Sequence, residues 1–125
     1  MERTFFIIGT ILAGLAVATG AFGAHGLQKL VTPERLETWE KAVRYQMYHA
    51  LALLLLAWAI TYWPEQAKLL ATGGWLFLAG SVLFSGSLYL LVLSEITWLG
   101  AVTPLGGVAF VAGWLCLLIA AWRGG

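Results

Sequence analysis

The chain contains two histidines, His25 and His49, one closing an apolar segment and the other a turn inside the next. Both therefore fall near the same membrane face. Neutral imidazoles on facing helices are ligands for a metal or a haem. Two of them without a third ligand make a poor zinc site, since structural zinc takes four protein ligands and catalytic zinc three. The plainer reading is that each ring hydrogen-bonds a backbone carbonyl or a nearby carboxylate. Glu40, Arg44 and His49 recur near one helical face with Gln46 beside them, and Glu40 and Arg44 form an i,i+4 pair. Glu95 ends a later apolar segment on the same side. A cluster of His25, Glu40, Arg44, His49 and Glu95 is the one constellation with chemical promise. Ionisable groups close to hydrocarbon are costly, and such a cluster would bind an anionic headgroup or a small polar ligand. The competing reading is that it seals the polar end of a bundle.

Other reactive groups offer less. Ser81, Ser85 and Ser87 have no acid and histidine at matching depth, so a serine hydrolase is not expected. Mid-helix serines in lipid bond back to their own helix or across a seam. The single cysteine, Cys116, sits within an apolar segment and is expected to pack as a small inert residue. Gly106-Gly107 has neither the preceding strand nor the following Lys-Ser of a phosphate loop. We therefore expect no catalytic residue, no metal site and no cofactor.

The elements that must position these residues are four apolar segments, roughly 5–27, 42–62, 67–93 and 99–122, joined by linkers that hold most of the ionisable residues. Each supplies the ~20 helical residues needed to cross a hydrocarbon core. Hydrophobic residues make up 61% of the 125 and charged residues only 10%, far below the roughly one quarter charged in soluble domains. The net charge of +1 points to no nucleic-acid partner. Arg3, the apolar run 5–18 and the small residues 20–24 follow the order of a signal peptide, but we expect an uncleaved first span.

The linker between the first two segments carries its own signal. Thr32-Pro33-Glu34 reads as a helix start, with Thr32 as N-cap. Leu36, Trp39 and Val43 then recur at helical spacing among charged residues. This predicts a short amphipathic interfacial helix that runs into the second span, with Trp39, Tyr45 and Tyr48 at headgroup depth. Pro64 ends the second span, and Thr103-Pro104 with Gly106-Gly107 suggests a kinked or unwound start to the fourth.

Small residues mark the packing faces. Gly9, Ala13, Ala16, Gly20 and Gly23 share one face of the first segment, and Gly106, Ala109, Gly113, Cys116 and Ala120 share one face of the fourth. Gly73, Gly80 and Ser87 lie beside Gly74, Ser81 and Ser85 in the third, and Ala42, Gln46, His49, Ala50, Leu53 and Ala57 line the second. Lipid tails are as apolar as leucine, so helices associate through the close backbone approach that small residues permit. We expect Gly9, Ala13, Gly20, Gly80, Ser85, Gly106 and Gly113 at helix contacts. The near-heptad spacing predicts a left-handed bundle. The expected fold is thus an all-α membrane protein: a four-transmembrane-helix bundle, one transmembrane domain over 1–125, with the short interfacial helix between helices 1 and 2. Lys29, Arg35, Lys41 and Arg44 against Arg3, Lys68 and Arg123 lean towards a cytoplasmic first linker, with both termini outside.

Four stretches together resemble a known family. They are Gly20-Ala21-Phe22-Gly23-Ala24-His25-Gly26-Leu27, Tyr45-Gln46-Met47-Tyr48-His49-Ala50-Leu51-Ala52, Leu83-Phe84-Ser85-Gly86-Ser87-Leu88-Tyr89-Leu90 and Thr103-Pro104-Leu105-Gly106-Gly107. The chain resembles the DUF423 family of small integral membrane proteins, which are YwdK- and YgdD-like and similar to transmembrane protein 256. The resemblance implies a multi-pass protein of the plasma (inner) membrane and assigns no catalytic residue. Three roles follow, in order. The first is a structural or accessory module that self-associates or packs with a larger membrane complex. The alternative is a lipid- or small-solute-binding or transport module using the polar cluster. A membrane enzyme or haem protein ranks last. The lipid bilayer is the expected surrounding in each.

Overall fold

The computed structural model describes residues 1–124. Among them there is no strand, and four helical spans account for nearly the whole chain. Helix α1 covers Glu2–His25 and α2 covers Pro33–Tyr62. The third span is composite: α3 (Ala67–Gly80), a π turn (Ser81–Ser85) and α4 (Gly86–Ser94). Helix α5 covers Thr103–Gly124. Short 3-10 turns at Leu27–Lys29, Pro64–Gln66 and Thr97–Ala101 make the connections tight.

Helix α2 starts where its sequence says it should. The Thr32 hydroxyl accepts from the Arg35 N–H at 3.2 Å, and Pro33 occupies the first helical position. The amphipathic stretch and the second span form one uninterrupted helix of 30 residues. It ends at Tyr62, ahead of Pro64. The fourth span opens with the 3-10 turn Thr97–Ala101 and becomes α-helix only at Thr103, so the irregular start lies just ahead of Pro104, which in the first turn forfeits no helical hydrogen bond.

Burial separates inner from outer spans. Half of the most apolar window of α2 is buried, and 44% of that of the third span, against 17% for α1 and 22% for α5. The second and third spans are therefore the central pair, with α1 packed mainly on α2 and α5 mainly on α3. Phe5, Leu53, Leu56, Leu70 and Phe77 are fully buried at the centre. The expected inner face of α2 is the observed one: Ala42, Gln46, His49, Ala50, Leu53 and Ala57 are all buried.

The contact between α3 and α5 is an antiparallel interlock of rings and glycines. Phe77 of α3 seats over Gly113, where a methyl group would come within 2.7 Å of the ring. Phe110 of α5 seats over Gly80, and the backbone of Phe84 in the π turn lies against Gly106. Leu117 covers Gly73, 2.9 Å from where a methyl would stand. Glycines seven residues apart on each strand of the seam thus alternate with bulky side chains from the other. The α1–α2 seam is built similarly. Gly9 lies against Ala50 O and Leu53, Gly20 against Val43 and Gly23 against the Trp39 indole. Ala13 is partly buried beside them.

One aromatic departs from its expected place. Trp39 is 4% exposed, inside the bundle rather than out among headgroups. The gap over Gly23 admits its indole, and its N–H reaches the Thr19 carbonyl at 2.8 Å. Trp58, Tyr62 and Trp63 instead stack at the far end of α2, where amphipathic aromatics belong at a membrane interface.

The adjacent glycines Gly106 and Gly107 give a matched test. A methyl at Gly106 would collide with the Phe84 backbone, while one at Gly107 meets nothing within 4 Å. Gly106→Ala should destabilise by about 1–3 kcal/mol, and Gly107→Ala should stabilise by about 0.5–1 kcal/mol through helix propensity. Thermal unfolding of the two variants in detergent measures both.

Candidate functional site

The residues of the expected cluster divide by environment. His25 closes α1 and is exposed, as are Glu40, Arg44 and Glu95. His49 alone is deeply buried, 4% exposed. No hydrogen bond or ion pair joins any two of the five among the described residues. The expected Glu40–Arg44 pair is not formed; the ion pair present is the N-terminal amine with Glu2 at 3.6 Å. An exposed pair would add little and cost side-chain freedom. No group of three or more His, Cys, Asp or Glu among the described residues comes together to hold a metal.

Glu95 has a backbone role instead. It caps α4 in the left-handed conformation, with φ 59°, and its N–H bonds the Leu91 carbonyl. Glycine is the usual residue there because a Cβ is penalised. Glu95→Gly should raise stability by about 1 kcal/mol if its carboxylate serves nothing; a loss of stability in thermal unfolding would show that the side chain matters.

His49 sits in an aromatic box. Its ring stacks on Phe110 with centroids 3.5 Å apart and planes within 7°, with Phe77 and Trp114 alongside. The Trp114 indole N–H donates to Nε2 at 3.1 Å, so the ring proton lies on Nδ1 and is donated to the Tyr45 carbonyl at 2.8 Å. Both nitrogens are committed. A metal or haem iron could take Nε2 only by displacing Trp114.

The richer polar arrangement lies across α1, α2 and α4. Tyr89 donates its hydroxyl proton to Gln46 Oε1 at 2.7 Å, and Gln46 Nε2 donates to the Leu12 carbonyl at 2.8 Å. Thr19 Oγ1 lies 3.3 Å from the Tyr89 hydroxyl, while its own proton turns back to the Leu15 and Ala16 carbonyls at 3.0 and 3.2 Å. Trp39, stacked on Tyr89 with centroids 4.6 Å apart, completes the set. Nearby, Ser85 donates to the Ala42 carbonyl at 2.7 Å, and Ser87 shares a 2.6 Å bond with Thr103. These two serines bond across seams as expected, and Ser87 also back to Phe84 O at 2.9 Å. Ser81 does neither: it is 5% exposed and its Oγ has no partner.

These groups lie behind a groove of about 230 Å³ between α1 and the third span, lined by Leu12, Leu15, Thr19, Gln46, Ser81, Val82, Gly86 and Tyr89. Sequence reasoning did not single out Thr19 or Tyr89, and it placed Trp39 at headgroup depth rather than in this set. The available signal was Gln46, an uncharged amide in an apolar span, which needs a partner on another helix.

The fold and this site define a class: a multi-pass integral membrane protein whose four helices are joined by small-residue seams and inter-helix hydrogen bonds. The family described as "Protein of unknown function (DUF423)" matches residues 19–107, and the chain belongs to it. It is 48% identical over 97% of both chains to a UPF0382 membrane protein of Staphylococcus aureus. It is 48% identical to the UPF0382 membrane protein YwdK of Bacillus subtilis, over 95% of this chain and 96% of that one. Identity to the Staphylococcus haemolyticus UPF0382 membrane protein is 44% over 97% of both. No solved structure matches the chain.

Tyr89→Phe would leave the Gln46 carbonyl without its donor at 5% exposure. We expect a loss of about 1 kcal/mol, in the range of inter-helix hydrogen bonds in membranes. A double-mutant cycle with Gln46→Leu, read by unfolding in mixed micelles, should return a coupling of similar size.

Proposed function

We propose that this protein is a structural or accessory helical module that associates laterally in the membrane, with a second copy of itself or with a larger complex. The observation that carries this reading is a second small-residue stripe on α1, on the face turned away from the bundle. Thr10, Gly14 and Ala18 follow one another at four-residue spacing and are all exposed. A methyl group at Gly14 would meet nothing within 4 Å, whereas Gly9 and Gly23 on the opposite stripe are tightly covered. Lipid rewards neither face with a hydrophobic gain, and small residues favour association only where another backbone comes close. Helix α1 is also the least buried span, so it has the most surface to offer.

The test is crosslinking in native membranes on a Cys116→Ala background, with a cysteine placed at Thr10. A dimer or a discrete heteromeric band is expected, and Gly14→Leu should reduce it at least about tenfold, the effect of losing ~1.4 kcal/mol of packing. A strictly monomeric species in native mass spectrometry, with no co-purifying protein, would overturn the reading.

A further inference from the structure

We propose that the groove between α1 and the third span is a binding site for an uncharged, ring-headed carbonyl compound dissolved in the bilayer, the class of the isoprenoid quinones. This goes beyond lateral association and uses a different surface.

The argument starts from Ser81. In hydrocarbon a serine hydroxyl satisfies itself on a carbonyl of its own helix or on a neighbour. Ser85 and Ser87 do so, but Ser81 begins the π turn and finds no acceptor. An unused hydroxyl this far buried is costly, and such cases call for an explanation. π turns are frequent at functional sites. Ser81 lines the groove, and so does Gln46, whose Nε2 spends one of its two protons on Leu12. The unspent Gln46 proton can only donate, and the Ser81 hydroxyl is free to donate beside it. Thr19 spends its proton on its own helix at Leu15 and Ala16, and Tyr89 spends its proton on Gln46. No charged residue lines the groove, so the complementary ligand is neutral and presents an acceptor.

Depth narrows the class. Ser81 falls near the middle of the span Pro64–Ser94, about 20 Å along the helix from its nearer end at roughly 1.5 Å per residue. Ester carbonyls of membrane lipids stay at the edge of a core roughly 30 Å thick. A carbonyl at the midplane belongs to a molecule whose head itself enters hydrocarbon. The groove volume of about 230 Å³ accommodates a single ring. Leu15 and Val82, 52% and 62% exposed at its mouth, leave the way open to lipid for a tail.

Two variants separate binding from folding. Ser81→Ala removes the donor. Gly86→Leu fills the groove, and a methyl at Gly86 meets nothing within 4 Å, so the fold tolerates it. The full chain in phosphatidylcholine nanodiscs is titrated with decylubiquinone. The readouts are the shift in thermal unfolding and the infrared C=O stretch of the probe. Saturable binding with a lowered C=O frequency is expected for the unmodified chain. Ser81→Ala should weaken binding about fivefold, the effect of one neutral hydrogen bond, and abolish the frequency shift. Gly86→Leu should abolish binding while melting like the parent without probe. Decylubiquinol and methyl oleate should not compete. The proposal is overturned if binding does not saturate, if Ser81→Ala binds like the parent, or if methyl oleate competes equally.

Discussion

The structure depends on how closely two backbones can approach where hydrophobicity gives no net drive. In lipid a buried leucine leaves one apolar surrounding for another, so association must come from contact itself. The seam between α3 and α5 meets this by setting rings on glycines, Phe77 on Gly113 and Phe110 on Gly80, with the Phe84 backbone itself against Gly106. Each glycine supplies the recess and each ring fills it, which gains dispersion from many atoms at once. The α1–α2 seam repeats the scheme with Gly9 and Gly23. The central position of α2 and the third span follows, because each has one seam partner outside and the other central span inside.

Once backbones are this close, polar side chains can reach from one helix to the next. Gln46 bonds the Leu12 carbonyl, Ser85 the Ala42 carbonyl and Trp39 the Thr19 carbonyl. Each uses a helical carbonyl's second lone pair, so no intrahelical bond is lost. The run of contacts from Thr19 through Tyr89 to Gln46 also fixes the rotation of three helices about their own axes. Hydrogen bonds of this kind add modest stability and considerable specificity.

The four spans, the Thr32 cap, the end of α2 before Pro64 and the inward face of α2 were all legible in the sequence, because periodicity and proline chemistry act locally. The expected polar cluster was inferred from shared depth and from the helical spacing of Glu40, Arg44 and His49. Depth places residues in a common plane but not on a common side, and approximate spacing does not fix the side either: His25, Glu40, Arg44 and Glu95 are exposed while His49 is buried. Trp39 misled for a related reason: its amphipathic character suits the headgroup region equally well, and only the recess over Gly23 draws it inside. Tyr89 could not be paired with Gln46 from sequence, since their contact crosses two helices separated by a turn of chain.

The π turn at Ser81–Ser85 has one further consequence. Widening a single turn adds a residue to the helix without adding a turn, which slips the phase of everything after it by about 100°. Before the slip, Gly73, Phe77 and Gly80 mesh with α5; after it, Tyr89 and Leu88 present themselves to the other side of the molecule. One span thus serves two neighbours in succession, like a shaft whose gear teeth change angle at a coupling. Removing a single residue from that coupling would restore an even helix and turn Tyr89 away from Gln46. The register between the two halves of the bundle is held in five residues.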